Sequence, residues 1–427
     1  MSSPLRIAIA GLGTVGGGVV KAWLAHGKAL NDRAGRRLEI VAVCERDETK
    51  KLSFDFKNWV SDIHALARTD ADVVVELIGG ENGPALSLVE EALKAGKHVV
   101  TANKAMMARH GGRLAALAEE KDLALKFEAA VAGGIPIVKA LRESLFVYGV
   151  VAVRGILNGT CNYILTQMES TGRPFADVLE DAQRLGYAEA DPSLDVGGGD
   201  TAHKLALLAG LAFGVAPDLD TMPVQGIAHI MPDDIAFARE FGYRIKLLGI
   251  AKKTPQGIDQ RVQPAMVGAG TPLGDVDGVF NAVAADTGAA GQFFFEGRGA
   301  GEAPTANAVI ADLVDIARGN IGPVFGIPAR SLTTLAPAPS GSASSAFYLR
   351  FQVLDVPGVL AEIAGHLAKW HISIESMIQR GRSPGEAVSI VMITHETTHA
   401  AVDCALKTIA ASDKVVSPPC MIPMEAR

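Results

Sequence analysis

Gly11-Leu12-Gly13-Thr14-Val15-Gly16 is the stretch on which the reading of the fold turns. It follows residues 6–10 (RIAIA), which read as a strand, and opens a helix-like segment over 15–26. A G-x-G-x-x-G pattern alone is a weak signal. Between a strand and a helix it reads as the tight turn of a dinucleotide-binding unit. The first glycine permits the turn, the second lets backbone approach a pyrophosphate, and the third lets helix pack on strand. Thr14 and Val15 then fall in the first helical turn, where free N–H groups and the positive dipole end face phosphates. Gly11, Gly13, Thr14, Val15 and Gly16 are therefore the candidate phosphate contacts.

Working outward, residues 38–43, 72–78, 98–101 and 124–130 read as strands, and 85–95 and 111–121 as helices. Strands alternating with helices imply a parallel, doubly wound α/β sheet of Rossmann type. The second strand ends in Glu45, Arg46 and Asp47. An acid there would hold a ribose 2′-OH and favour NAD, and an arginine would accept a 2′-phosphate and favour NADP. Both readings stay open, and Arg46 tilts the choice toward NADP. Lys104 follows the strand over 98–101. Ligands bind at the carboxyl ends of such strands, so Lys104 can reach cofactor or substrate.

Beyond residue 140 the pattern changes. Helical segments at 175–185 and 201–213 mix with strand-like ones at 150–157 and 243–251, which suggests an α+β domain. Residues 305–318 read as a long helix, a candidate to pack back on the first domain. The run 335–345 (LAPAPSGSASS) has the composition of a linker. After it, strands at 348–354, 373–379, 387–394 and from 415, with helices at 358–369 and 400–411, give the βαββαβ ferredoxin-like order. The division expected is 1–135 for the nucleotide, 136–333 for catalysis, substrate and dimerisation, 334–345 as linker, and 346–427 as a regulatory unit.

Composition sets outer limits. The 427 residues are 48% hydrophobic and 20% charged, which fits a globular chain and excludes wholesale disorder. A net charge of −7 with no basic run argues against a nucleic-acid partner. Cys44, Cys161, Cys404 and Cys420 form no disulfide framework, which suggests a reducing, cytoplasmic compartment. The longest apolar stretch, 205–215, is too short to cross a bilayer, which takes ~20 residues. The apolar run at 7–10 is too short for a signal peptide. The ten histidines show no zinc-ligand spacing, which weighs against a metal-dependent alcohol dehydrogenase.

The densest chemistry lies between Gly186 and Lys204. Glu189, Asp191, Asp195, Asp200 and Lys204 surround glycines and Pro192, just before an apolar helix. Asp200 and Lys204 are four apart and share a helix face. Hydride reduction of an aldehyde puts negative charge on its oxygen, and a nearby ammonium can stabilise that charge and donate a proton. An adjacent carboxylate keeps the ammonium charged. The remaining carboxylates suit a substrate bearing an α-ammonium group.

The fixed positions of this cluster, from Ala182 and Gly186 through Asp191-Pro192, Asp195 and Asp200 to Lys204, resemble the homoserine dehydrogenase signature. Glu76-Leu77-Ile78-Gly79-Gly80, Asn103-Lys104, Glu128 to Pro136 and Asn158-Gly159-Thr160 resemble that family in order and spacing, over residues ~5 to ~330. The resemblance implies interconversion of aspartate semialdehyde and homoserine with NAD(P), on the route to threonine, methionine and isoleucine, by a homodimer or homotetramer. It implies that Lys204 gives the proton, that Asp200 and Glu189 bind substrate with Asp195 in support, and that Lys104 lies near cofactor and substrate. Gly186 and Gly301 would line the nicotinamide. Glu128 and the carbonyls of Val131, Gly133 and Ile135 would hold sodium or another monovalent cation.

The tail resembles another family. Asp355-Val356-Pro357-Gly358-Val359-Leu360, between strand and helix, is similar to the ligand-binding turn of ACT domains. Those regulatory modules pair edge to edge and bind amino acids, and threonine is the effector implied. Deleting the unit is expected to spare catalysis and abolish inhibition. Two rival readings remain: an acylating aldehyde dehydrogenase using Cys161 as nucleophile, and a non-catalytic amino-acid sensor.

Overall fold

The structure, a computed structural model, describes residues 3–425 except 48, 50–55, 57, 335, 340 and 381–385. Residues 335 and 340 of the expected linker thus lie outside the described residues.

Six strands form the first sheet: β1 (Leu5–Ala10), β2 (Leu38–Cys44), β3 (Trp59–Val60), β4 (Val73–Glu76), β5 (His98–Thr101) and β6 (Leu125–Lys126). Their order is β3-β2-β1-β4-β5-β6 and every pairing is parallel. This is the order of a doubly wound dinucleotide-binding sheet. Its strands are apolar on both faces because both faces are covered. Ala8, Ala10, Val74 and Val99 pack with Leu88, Ala92 and Met107. Ile7, Ile9, Val73 and Val75 pack with Val19, Val20, Val309 and Leu313. The last two belong to the helix Glu302–Ala317, so the late helix does return to the first sheet. It lies close against the helix Thr14–Ala34, where a Cβ on Gly18 would meet Glu302 Cγ at 2.7 Å.

Two expected elements come out differently. The strand expected over 124–130 stops at Lys126, and Glu128–Ala130 is a 3-10 turn. Glu128 N–H donates to Asp312 Oδ2 at 2.9 Å instead of joining a ladder. The helix expected to start at 111 starts at Lys104, capped by Asn103 Oδ1, which accepts from Met106 N–H at 3.1 Å. Gly111 lies inside that helix, where a Cβ would meet the Phe325 ring at 3.0 Å.

The second sheet starts as a mixed-sheet domain with order β11-β10-β7-β8-β9. Its strands are β7 (Ala152–Ile156), β8 (Tyr243–Thr254), β9 (Gly257–Gly268), β10 (Phe280–Asp286) and β11 (Gln292–Arg298). The C-terminal unit contributes β12 (Ser344–Leu354), β13 (Ile374–Gln379), β14 (Ala387–Thr394) and β16 (Val415–Met424), in the order β16-β12-β14-β13. With helices Val359–Lys369 and His399–Ile409 it has the expected βαββαβ plan. The short β15 (Thr397–Thr398) pairs with the start of β12.

The sequence suggested two units separated by a linker, but the sheet runs through. β16 meets β9 in parallel at Met424 and Met266, and Glu425 N–H donates to Met266 carbonyl at 2.9 Å. The chain before β12 lies along β9, with Ala338 N–H donating to Ile258 carbonyl at 2.9 Å. A buried polar knot crosses the same joint. Asp234, on the helix Pro232–Glu240, accepts from Arg350 Nε at 2.6 Å, Arg350 Nη2 at 3.1 Å and Tyr348 Oη at 2.9 Å. Among the described residues, no helix is long and apolar enough to cross a membrane.

Candidate active site

The glycine loop leaves β1 and enters the helix Thr14–Ala34. Gly11 has φ +94°, and a Cβ there would meet Leu77 carbonyl at 2.9 Å, so the tight turn requires glycine. A Cβ on Gly16 would run into the Gly11 carbonyl, whereas one on Gly13 would meet nothing within 4 Å. Gly13 therefore borders open space and, as the N-cap, brings no side chain to the helix start, so among the described residues the first amides are left to that space.

Glu45 is tied to this loop. Its carboxylate accepts from Leu12 N–H at 2.6 Å, Arg46 N–H at 2.8 Å and Asp47 N–H at 3.0 Å. The Arg46 side chain is exposed beside it. At the ends of the next strands, Glu76 accepts from Ile78 N–H at 2.8 Å, Gly79 N–H at 2.9 Å and Thr101 Oγ1 at 2.5 Å. Asn103 Nδ2 donates to Gly80 carbonyl at 2.7 Å. These bonds fix the loop 78–80 against the start of the helix whose first residue is Lys104.

Asp200 sits in the first turn of the helix Gly199–Phe213, 4% exposed. Lys204 Nζ donates to its Oδ2 at 2.7 Å and to Leu157 carbonyl at 2.7 Å. Lys104 Nζ, from the first domain, reaches its Oδ1 at 2.8 Å. One buried carboxylate thus bridges two ammonium groups from two domains. Burial works against charge on Asp200, yet Lys204 and Lys104 outweigh it and hold the carboxyl well below the usual range. Burial opposes charge on Lys104 too, and Asp200, then Asp195 and Glu189, raise it above the ordinary lysine value. Asn158 Nδ2 donates to Asp195 Oδ1 at 2.8 Å and to Asp200 Oδ2 at 2.9 Å, and so sets the spacing of the two acids. Burial raises Asp195, with Asn158 opposing and Asp200 adding to the rise.

The expected residues do not all converge. Lys104, Asp195, Asp200 and Lys204 form one cluster. Glu189 is exposed on the neighbouring loop and acts on Lys104 through its charge. Gly186, φ +76°, ends the turn after the helix Phe175–Arg184, and Gly301, φ +124°, precedes the helix Glu302–Ala317. Glu128 lies apart: its carboxylate accepts from Val138 N–H at 3.0 Å and Lys139 N–H at 2.9 Å. Burial and the neighbouring Asp312 push it up to about 7. Asp355, Pro357, Gly358, Val359 and Leu360 line a cavity of about 330 Å³ in the C-terminal unit, together with Gln379.

Cys161 is fully buried, and its Sγ donates to Asp195 carbonyl at 3.2 Å. Burial, with Asp195 and Asp200 adding, pushes the thiol well above its ordinary value. A thiol so placed is not a thiolate nucleophile. The sequence reading gave no role to Asn158, to Leu157 carbonyl or to Asn281, whose Nδ2 donates to Leu157 carbonyl at 2.9 Å. Asn158 had a signal, an Asn-Gly at a strand end. Leu157 acts through backbone and had none.

A parallel nucleotide-binding sheet, joined to a mixed-sheet domain by an ammonium–carboxylate cluster to which both contribute, is the build of a nicotinamide-dependent oxidoreductase. Residues 11–128 match the family model "Homoserine dehydrogenase, NAD binding domain", residues 136–314 match "Homoserine dehydrogenase", and residues 347–411 match "ACT domain". The chain belongs to the homoserine dehydrogenase family. It is 42% identical to the homoserine dehydrogenase of Neisseria gonorrhoeae over 99% of both chains, and 41% identical to that of Pseudomonas aeruginosa over 99% of both. The crystal structure of a homoserine dehydrogenase from Thiobacillus denitrificans superposes with TM-score 0.94 at 40% identity, covering 99% of this chain and 98% of that one. A hyperthermophilic archaeal homoserine dehydrogenase in complex with NADPH gives TM-score 0.65 at 25% identity, covering 75% and 100%.

Proposed function

We propose that the chain interconverts L-aspartate 4-semialdehyde and L-homoserine by direct hydride transfer, as three working units at 1–135, 136–333 and 346–427. The observation that carries this is Asp200 bridging Lys104 and Lys204 at 2.8 and 2.7 Å between the two halves of the cleft. When bound, the nicotinamide supplies or takes the hydride. Lys204 delivers the proton to the nascent alkoxide oxygen in reduction and removes it in oxidation. Lys104 holds positive charge over the reacting face. Glu189, Asp195 and Asp200 take the substrate's ammonium group, and Gly186 and Gly301 lie against the nicotinamide.

The residues suit NADP. Gly13 faces open space, and Gly11, Thr14, Val15 and Gly16 build the turn and helix start around it. The Glu45 carboxylate is already engaged with three amides, which leaves Arg46 as the group to meet a 2′-phosphate. Steady-state homoserine oxidation with NAD and NADP tests both points. No turnover with either cofactor rejects the reaction, and equal effects of Arg46→Ala on the two rejects the 2′-phosphate contact.

A monovalent cation, sodium in the first place, fits at Glu128. The buried carbonyls of Val131 and Gly133 accept no hydrogen bond among the described residues, and buried carbonyls need a partner. Ile135 carbonyl, which accepts from Ile137 N–H at 2.8 Å, completes the set. Oxygen donors around a buried carboxylate suit a hard cation. The ACT domain is read as a threonine sensor at Asp355–Leu360, coupled to catalysis between two states. The enzyme is read as a cytoplasmic homodimer or homotetramer. Threonine titration and light scattering test these readings.

A further inference from the structure

The joint between the catalytic sheet and the ACT domain lies on a short path to the catalytic cluster. Asp234 is fully buried and Arg350 is 3% exposed. Besides Arg350 and Tyr348, Asp234 Oδ2 accepts from Met231 N–H at 2.9 Å, which closes the start of the helix Pro232–Glu240. Ile230 N–H then donates to Ile227 carbonyl at 3.0 Å, and Ile227 N–H donates to Val196 carbonyl at 3.0 Å. Val196 follows Asp195 directly. Gly226 is pressed so closely on this turn that a Cβ would run into the Val196 carbonyl. Gly198, at φ +89°, is packed by Val224 in the same way, since a Cβ there would meet Val224 Cγ1 at 3.0 Å. The segment 223–231 thus forms the floor under the turn that carries Asp195 and starts the Asp200 helix. Its far end is clamped by a guanidinium from the ACT domain.

We infer that Arg350 is a positioning residue for homoserine turnover, acting through Asp234 and the 223–231 floor on Asp195 and Asp200. The inference rests on the reading of those two acids as substrate ligands. An arginine suits this role, since its planar fork takes both oxygens of Asp234 and does not lose its proton. Without it the buried carboxylate would keep Tyr348 and Met231 N–H but lose its counter-charge, and the helix start would shift to find a partner or water. Small displacements of binding groups have large kinetic effects, because catalysis depends on near-attack geometry.

The test uses the full-length enzyme with Arg350→Met and Arg350→Lys. Circular dichroism reports folding, and kcat, KM for homoserine, cofactor Kd and amide exchange at Ile227 are measured. In a folded Arg350→Met protein, kcat falls about 10-fold and KM rises, following the sensitivity of turnover to misplacement. Cofactor Kd stays unchanged, because the glycine loop lies in the other domain. Arg350→Lys keeps a charge against Asp234 and lies between, about 3-fold down, with faster exchange at Ile227. Wild-type kcat and KM in folded Arg350→Met overturn the inference, and so does an equal loss of cofactor affinity, which marks general damage. If Arg350→Met does not fold, Arg350→Lys decides: unchanged exchange and unchanged kcat overturn it. A wild-type enzyme inert toward homoserine would instead overturn the function, and the exchange at Ile227 still reads the clamp.

Discussion

Asp200 and Asp234 are both buried carboxylates held by cations, and they differ in what the cations can do. Asp200 is held by Lys104 and Lys204, on flexible stems, and the Lys104 side chain is 35% exposed. Asp234 is held by the fork of Arg350, by Tyr348 and by a backbone amide, with side chains 3% or less exposed on both sides of the pair. A lysine can give up its proton and swap partners, and an arginine cannot. The first cluster can therefore exchange protons and partners, as the proposed proton transfer requires, and the second is held in one arrangement. Burial raises the Tyr348 hydroxyl far above its ordinary value, with Asp234 adding to the rise, so the hydroxyl keeps its proton.

Removing a cation from each site separates the two roles. In the first, Lys204→Ala is expected to lower kcat by about 10²–10⁴-fold, the usual contribution of a general acid–base group. Cofactor Kd and thermal unfolding should change little, since Lys104 still faces Asp200. Near-normal turnover in this variant would move the proton transfer elsewhere.

At the second site the loss is one of stability. Asp234→Ala leaves Arg350 buried without its counter-charge, which is expected to lower unfolding free energy by about 3–5 kcal/mol. Denaturant unfolding measures it. The same joint alters the expectation that deleting the chain after the linker spares catalysis. Such a truncation strips β16 from β9 and Arg350 from Asp234. It is expected to give a poorly folded protein with activity well below that of the intact enzyme. A stable, fully active truncated chain would show the joint to be dispensable.

The first cluster was legible in the sequence and the second was not, for a physical reason. Asp200 and Lys204 are four residues apart, and helix geometry alone puts them on one face. The glycine loop and the βαββαβ order are likewise local patterns. Asp234 and Arg350 are 116 residues apart, and only the packing of β12 against the helix Pro232–Glu240 brings them together. The run of the sheet from β9 into β16 was hidden in the same way, behind a stretch with a linker's composition. Asn158 lies between these cases: its place at a strand end was visible, but its two carboxylate partners, Asp195 and Asp200, are set by the tertiary fold.

A pH profile sharpens the contrast further. Lys104 is kept above the ordinary lysine value chiefly by Asp200 against the effect of burial. In Asp200→Asn that charge is gone, burial dominates, and Lys104 gives up its proton at lower pH. The alkaline loss of aldehyde reduction is therefore expected to move to lower pH than in the parent enzyme. An unmoved profile would show that Lys104's charge does not matter to the reaction. Asp234 variants, with no lysine in the knot, should leave the profile's position unchanged while lowering its height.

The smallest effects belong to the two cysteines that lie beneath the two carboxylates. Cys161 is buried near Asp195 and Asp200, and Cys420 is 6% exposed beside Asp234 and Arg350. Burial raises both thiols, with the neighbouring carboxylates adding, and Cys420 reaches about 12. Burial and the neighbouring carboxylates disfavour the thiolate in both, and little of either side chain meets solvent. Iodoacetamide on the native enzyme at pH 8 is expected to label the half-buried Cys404 first and to leave activity intact. Cys161→Ser keeps the shape, with a slightly smaller atom, and a donor toward Asp195 carbonyl, so kcat should stay within about 2-fold, the scale of a small polar swap that keeps its hydrogen bond. A large loss in Cys161→Ser, with a labelled acyl-enzyme trapped in the parent, would restore the thiol mechanism and assign the Lys104–Asp200–Lys204 cluster to binding alone.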